Sequence, residues 1–95
     1  MIGVSINIFS MDNKQYYYLS PYVDTSYDSL NNVAQFHQYV FGRNVILRIS
    51  KKNYLNLLFL LQKGVDGKDL EKFCIENDIK YLDFINGMLG CCVIE

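Results

Sequence analysis

The spacing of apolar residues changes near Ser50. Before it, apolar side chains tend to recur at every second position, as in half-buried strands. After it, they recur three and four residues apart, as in helices. Val4, Ile6 and Ile8 alternate with Ser5 and Asn7, predicting a strand over Val4–Phe9, and Met11-Asp12-Asn13-Lys14 reads as a polar turn. Tyr16-Tyr17-Tyr18-Leu19 is aromatic and strand-prone. Pro21 has no N–H to give a ladder and belongs at a strand end or edge. Asp24 to Asn32 is rich in Asp, Ser and Asn and reads as a loop. Val33–Val40 and Val45–Ile49, separated by Phe41-Gly42-Arg43-Asn44, predict a hairpin. In its second strand Val45, Leu47 and Ile49 share one apolar face. Ile46, Arg48 and Ser50 share the other, which is mixed.

The helical part begins with Asn53–Lys63, which holds Leu55, Leu57, Leu58, Phe59, Leu60 and Leu61. A helix apolar on most sides is central and buried. Gly64 is its expected stop. Asp66 caps a second helix running to about Asn77, with Leu70, Phe73 and Cys74 inward. Asp78 is the expected cap of a third helix, running to about Leu89 and stopped by Gly90. At about 100° per residue, Phe84, Met88, Tyr81, Ile85, Leu89, Leu82 and Ile79 spread over about 220° of that helix. One core contact needs a stripe of little more than about 100°. The surplus predicts two contacts: Leu82, Ile85 and Leu89 toward the core, and Tyr81, Phe84 and Met88 as a second stripe. Packing of both sides inside the domain would use the same surplus.

The expected fold is α+β. A small antiparallel sheet of three or four strands precedes three helices, winged-helix-like, in a single domain spanning residues 1–95. With 51% apolar residues and 15% aromatic ones, the chain has the composition of an ordered domain. The net charge of −1 mixes both signs and gives no basic face for nucleic acid. The most apolar stretch, Leu55–Leu61, is far shorter than the roughly 20 residues of a membrane span. The first residues lack a basic leader and a cleavage site, so no signal peptide is expected. Cys74, Cys91 and Cys92 form no CxxC pair and are expected as buried, reduced thiols of a cytoplasmic protein.

Candidate chemistry narrows the picture mainly by exclusion. The chain has no GxGxxG, P-loop, HExxH or nucleophile elbow. His37 is the only histidine and lies far in sequence from the cysteines, so neither a metal site nor a histidine base is expected. The carboxylates fall in loops, caps and solvated faces. Tyr16-Tyr17-Tyr18 lacks the interleaved Lys or Arg of a base-stacking platform. The expectation is a non-catalytic protein without a cofactor.

The order of these elements resembles the PqqD-like peptide-recognition domain, the recognition element of enzymes that modify ribosomally made peptides. The resemblance covers residues 16–95. It rests on Val45-Ile46-Leu47-Arg48-Ile49, Leu57-Leu58-Phe59-Leu60-Leu61-Gln62-Lys63-Gly64, Lys68-Asp69-Leu70-Glu71-Lys72-Phe73 and Leu82-Asp83-Phe84-Ile85-Asn86-Gly87-Met88-Leu89. The closing Val93-Ile94-Glu95 fits it too. That family has three strands before its helices, against four candidates here.

The resemblance implies a leader peptide added as a strand beside Val45–Ile49, in a groove against the helix Lys80–Leu89, and presented to a separate modifying enzyme. Its implied contacts are Val45, Ile46, Leu47, Arg48 and Ile49 on the strand, and Lys80, Tyr81, Phe84, Ile85 and Met88 on the helix. Arg48 and Lys80 would meet acidic leader side chains. The protein is expected as a monomer or a weak dimer through the open strand edge. Two other readings are a winged-helix DNA-binding regulator and a small phage or viral factor that docks on a protein surface. A third helix whose only basic residue is Lys80 argues against DNA.

Overall fold

The computed structural model describes residues 16–95. Its order is β1 (Tyr16–Tyr17), β2 (Val23–Asp28), β3 (Val33–Gln38), β4 (Arg43–Arg48), α1 (Lys51–Lys63), β5 (Val65–Asp66), α2 (Gly67–Glu76) and α3 (Tyr81–Gly90). The expected strand Val4–Phe9 and turn Met11–Lys14 lie outside the described residues. The α+β class and the strands-then-helices order are as expected.

Strands β2, β3 and β4 form an antiparallel meander. Its two hairpin loops, residues 29–32 and 39–42, are built alike. The Asp28 carboxylate accepts from the backbone N–H of Leu30 and Asn31 at 2.9 and 3.3 Å. The buried Gln38 carboxamide oxygen accepts from Val40 and Phe41 at 2.8 and 3.0 Å. Each loop ends in a left-handed residue, Asn32 (φ 53°) or Gly42 (φ 65°), the residue types that tolerate this region best.

Strand β2 corrects the sequence reading, which assigned Asp24–Asn32 to a loop. Val23, Thr25 and Tyr27 are half-buried on one face, while Asp24, Ser26 and Asp28 are exposed on the other. An edge strand with one wet face needs polar residues at every second position. Those residues hid a period of two.

The inner face of the sheet meets α1 through Tyr54. Its ring stacks on Tyr27 (centroids 5.3 Å apart) and meets Phe36 edge-on at 6.2 Å, while its hydroxyl bonds to that of Thr25. Phe36, Leu57, Leu61, Leu70 and Met88 are fully buried in one core. Each such side chain contributes about 1.5–3 kcal/mol relative to exposure. Helix α1 starts at Lys51, before the expected Asn53, because the Ser50 hydroxyl caps it by accepting from Asn53 N–H at 3.2 Å. Gly64 ends it as expected. Its φ of 97° is left-handed, and a methyl group there would fall 2.5 Å from the Tyr18 ring.

The two later helices end in the same way. After α2, Ile79 N–H reaches back to Cys74 C=O (2.8 Å) and Asp78 N–H to Ile75 C=O (3.2 Å). After α3, Val93 N–H reaches Met88 C=O (2.9 Å) and Cys92 N–H reaches Leu89 C=O (3.0 Å). Both are Schellman closures, and their left-handed residues are Asp78 (φ 57°) and Cys92 (φ 58°). Asp78 therefore terminates α2 instead of capping α3, whose N-cap is Lys80 with no side-chain bond. Gly90 is the last helical residue, not the stop.

A second small sheet ties the ends of the described chain together. Strand β1 pairs antiparallel with β5. Just beyond it, Tyr18 exchanges backbone bonds with Glu95 in both directions at 2.8 Å, and Ser20 N–H bonds Val93 C=O at 2.9 Å. Among the described residues no helix is long and apolar enough to cross a membrane.

Candidate functional site

Strand β4 is the last strand of the meander, so one side of it lies open. Which backbone groups face that side follows from one hydrogen bond. Tyr39 N–H donates to Tyr22 C=O at 3.1 Å, one pair beyond the Val23–Gln38 match that starts the β2–β3 register. In an antiparallel ladder the bonding direction alternates along a strand. Val33, Gln35 and His37 therefore bond to β2, whereas Ala34, Phe36 and Gln38 bond to Leu47, Val45 and Arg43 of β4. The N–H and C=O groups of Asn44, Ile46 and Arg48 point to the open side. Among the described residues no backbone group meets them.

The side chains of these three residues lie on the outer face of the sheet. There the cross-strand rows are Asp24–His37–Asn44, Ser26–Gln35–Ile46 and Asp28–Val33–Arg48. Asn44 Oδ1 accepts from Gln35 Nε2 at 3.3 Å and from His37 Nδ1 at 2.7 Å. That bond makes Nδ1 the protonated nitrogen and gives His37 a structural role on the surface. Ile46 is 61% exposed, an apolar side chain with water on most sides. Arg48 is also exposed. In the same row, the Asp28 carboxyl sits below its ordinary range, chiefly because the Asn31 amide donates to it at 2.7 Å.

The ten residues implied by the resemblance divide into three groups. Ile46 and Arg48 stand on the open edge with outward side chains, while Val45 and Leu47 are half-buried inward and Ile49 is buried. Ile49 is tied to the core by its carbonyl, which accepts from Tyr27 Oη at 2.9 Å. Phe84, Ile85 and Met88 are core residues. For Phe84 and Met88 this overturns the expected second stripe. The chain folds back after α3, bonding Val93 and Ile94 N–H to Met88 C=O and burying Val93 and Ile94 in the same core. Leu82 and Leu89, expected inward, are the exposed members of the wide arc, at 70% and 39%.

Lys80 and Tyr81 lie at the other end of α3. With Leu82, Asp83 and Glu71 they line an open groove of about 720 Å³ beside α2, not a wall of the β4 edge. Burial, then the neighbouring Tyr17 and Glu71, push the Tyr81 hydroxyl above its ordinary pKa. Strand and helix do meet at one point: Arg43 Nη1 donates to Gly90 C=O at 3.2 Å, placing the C-terminal end of α3 beside the start of β4. Exposed Leu89 is next to that contact in sequence.

Sequence reasoning missed Asn44 as part of the edge and Leu89 as an exposed residue next in sequence to the Arg43–Gly90 contact. The Phe41–Asn44 turn signal hides Asn44, although it continues the Asn44–Ile46–Arg48 alternation. The helical wheel places Leu89 on the core half of the arc, where it is not. The cysteines are unpaired. Cys74 is buried, Cys91 half-buried and Cys92 exposed, against the expectation that all three are buried. No family model matches the chain, nor does any curated protein or solved structure.

Proposed function

We propose that this protein is a non-catalytic module that binds an extended peptide as an added strand on the open edge of β4. The observation that carries the reading is the row of outward backbone groups at Asn44, Ile46 and Arg48. A peptide strand placed there gains main-chain hydrogen bonds of no sequence preference, and selectivity comes from the flanking side chains. On the outer face those are Asn44, Ile46 and Arg48. Cross-strand pairing favours a polar, an apolar and an acidic residue opposite them, at every second position of the peptide. The contacts first expected at Phe84 and Met88 form no part of this reading, because both are buried. The resemblance to PqqD-like domains makes the leader segment of a ribosomal precursor the proposed peptide. A separate modifying enzyme is its proposed recipient.

The test selects binders from a library of random extended peptides and follows amide exchange in the labelled protein. Protection at Asn44, Ile46 and Arg48 is the expected result. Ile46→Pro removes an outward N–H from an edge strand, where proline is tolerated. It should abolish binding with little change in unfolding temperature, whereas Val45→Pro should break the β3–β4 ladder and unfold the sheet. Binders that leave these three amides unprotected, or that bind Ile46→Pro equally well, would overturn the proposal.

A further inference from the structure

Helix α1 is built with two opposed faces. Tyr54, Leu57 and Leu61 are buried. On the opposite side Lys51, Gln62, Leu55, Phe59, Lys52, Lys63 and Asn56 follow one another around about 140° of the helix, and every one of them is exposed. Leu55 and Phe59 sit one turn apart in the middle of this arc, 53% and 59% exposed. Lys63 Nζ lies 5.3 Å from the centre of the Phe59 ring. The helix has no acidic residue at all.

Helix stability does not explain this arrangement. Lysines in a first turn oppose the helix dipole, which favours acids there. A Leu–Phe pair one turn apart gives a helix only about 0.2–0.5 kcal/mol, too little to account for two large apolar side chains held in water. Asp69 and Glu76 line, with Asn56, Leu60, Lys72 and Phe73, a groove of about 210 Å³ between α1 and α2. Of the arc's residues only Asn56 lines that groove. Around the helix Lys51 and Gln62 lie on one side of the apolar pair and Lys52, Lys63 and Asn56 on the other, so lysines flank the pair on both sides and the helix itself holds no acid to neutralise them.

We infer that the exposed face of α1 is a second docking surface, separate from the β4 edge, and that its partner is an acidic amphipathic helix of another protein. Charge complementarity selects the occupant. A helix laying two apolar side chains over Leu55 and Phe59 places its flanking carboxylates against the lysines, and such pairs set orientation and speed encounter. In a module with no chemistry of its own, this surface gives a folded partner a place to attach while the β4 edge holds a peptide.

The probes are a synthetic helical peptide with Leu and Phe on one face flanked by Glu, its counterpart with Lys for Glu, and phosphatidylglycerol vesicles. Titrated into the full labelled chain, the acidic peptide should shift the amides around Leu55 and Phe59 and leave those of β4 in place. Phe59→Glu should weaken it at least tenfold without changing the unfolding temperature, since that ring is exposed. Lys52→Glu with Lys63→Glu should transfer preference to the Lys-bearing peptide. No binding of the acidic peptide, equal binding of both peptides, or shifts centred elsewhere would overturn the inference. Vesicle binding lost in Phe59→Glu would also overturn it, by assigning the face to a lipid surface.

Discussion

Cys74, Cys91 and Cys92 are one chemical group in three environments. Burial first, then the nearby Glu71 carboxylate, push the Cys74 thiol up to about 11 from an ordinary value of 9.0. The folded state therefore keeps this proton at pH values where the unfolded chain releases it, so unfolding is favoured as pH rises from about 9 to about 11. Tyr81, whose pKa is also raised, acts in the same direction at slightly higher pH. Thiol labelling at neutral pH should modify Cys92 fastest, Cys91 more slowly, and Cys74 only on unfolding. Denaturant midpoints measured from pH 8 to 11 should fall, and Cys74→Ala should flatten part of that fall. Rapid labelling of Cys74 in the native protein would contradict its burial. Side-chain identity alone left such environments open. The helical wheel gave the width of the apolar arc on α3 but not its phase, because Phe84 and Leu82 are equally apolar. Which half turned inward was decided by Val93 and Ile94 folding back against Met88.

Elements were legible wherever a local signal agreed with long-range packing. The hairpin β3–β4, the Gly64 stop and the Asp66 cap, which accepts from Asp69 N–H at 2.8 Å, all carry their reason in adjacent residues. Strand β5 has only Val65–Asp66, and its signal is its partner Tyr16–Tyr17, about fifty residues away in sequence. The Schellman closures were missed for a different reason: glycine, their usual marker, stands elsewhere. Asp78 and Cys92 carry side chains in a backbone region that costs an L-residue about 1–2 kcal/mol, less for Asp. Asp78→Gly and Cys92→Gly should each stabilise the protein by about 0.5–1 kcal/mol, after the extra freedom of glycine in the unfolded chain is subtracted. Urea midpoints should show Cys92→Gly gaining more than Asp78→Gly. A loss at both positions would mean that the helix ends are not closed this way.

At the scale of the whole molecule, the closing residues hold the fold together as much as the helices do. Ile94 is 2% exposed and Val93 fully buried, and both lie in the core that joins the inner sheet face to all three helices. Leu19 bridges to Ile94 and also donates from its N–H to Leu61 C=O at 3.1 Å. The stretch before the meander is thereby pinned to α1 and to the end of the chain at once. A short apolar end is easily read as a tail in sequence, because its partners are distant. Ile94→Ala leaves the backbone bridge possible but removes buried volume, and should cost about 2–5 kcal/mol. That is a large part of the 5–15 kcal/mol by which domains are stable. If the clamp is one cooperative unit with the core, the amides of Tyr18, Leu19 and Ser20 in Ile94→Ala should exchange faster by the same factor as those of Leu57 and Met88. Faster exchange confined to Tyr18–Ser20 would make the clamp a fraying edge, and the position of β1 beside β5 would then depend on local pairing alone.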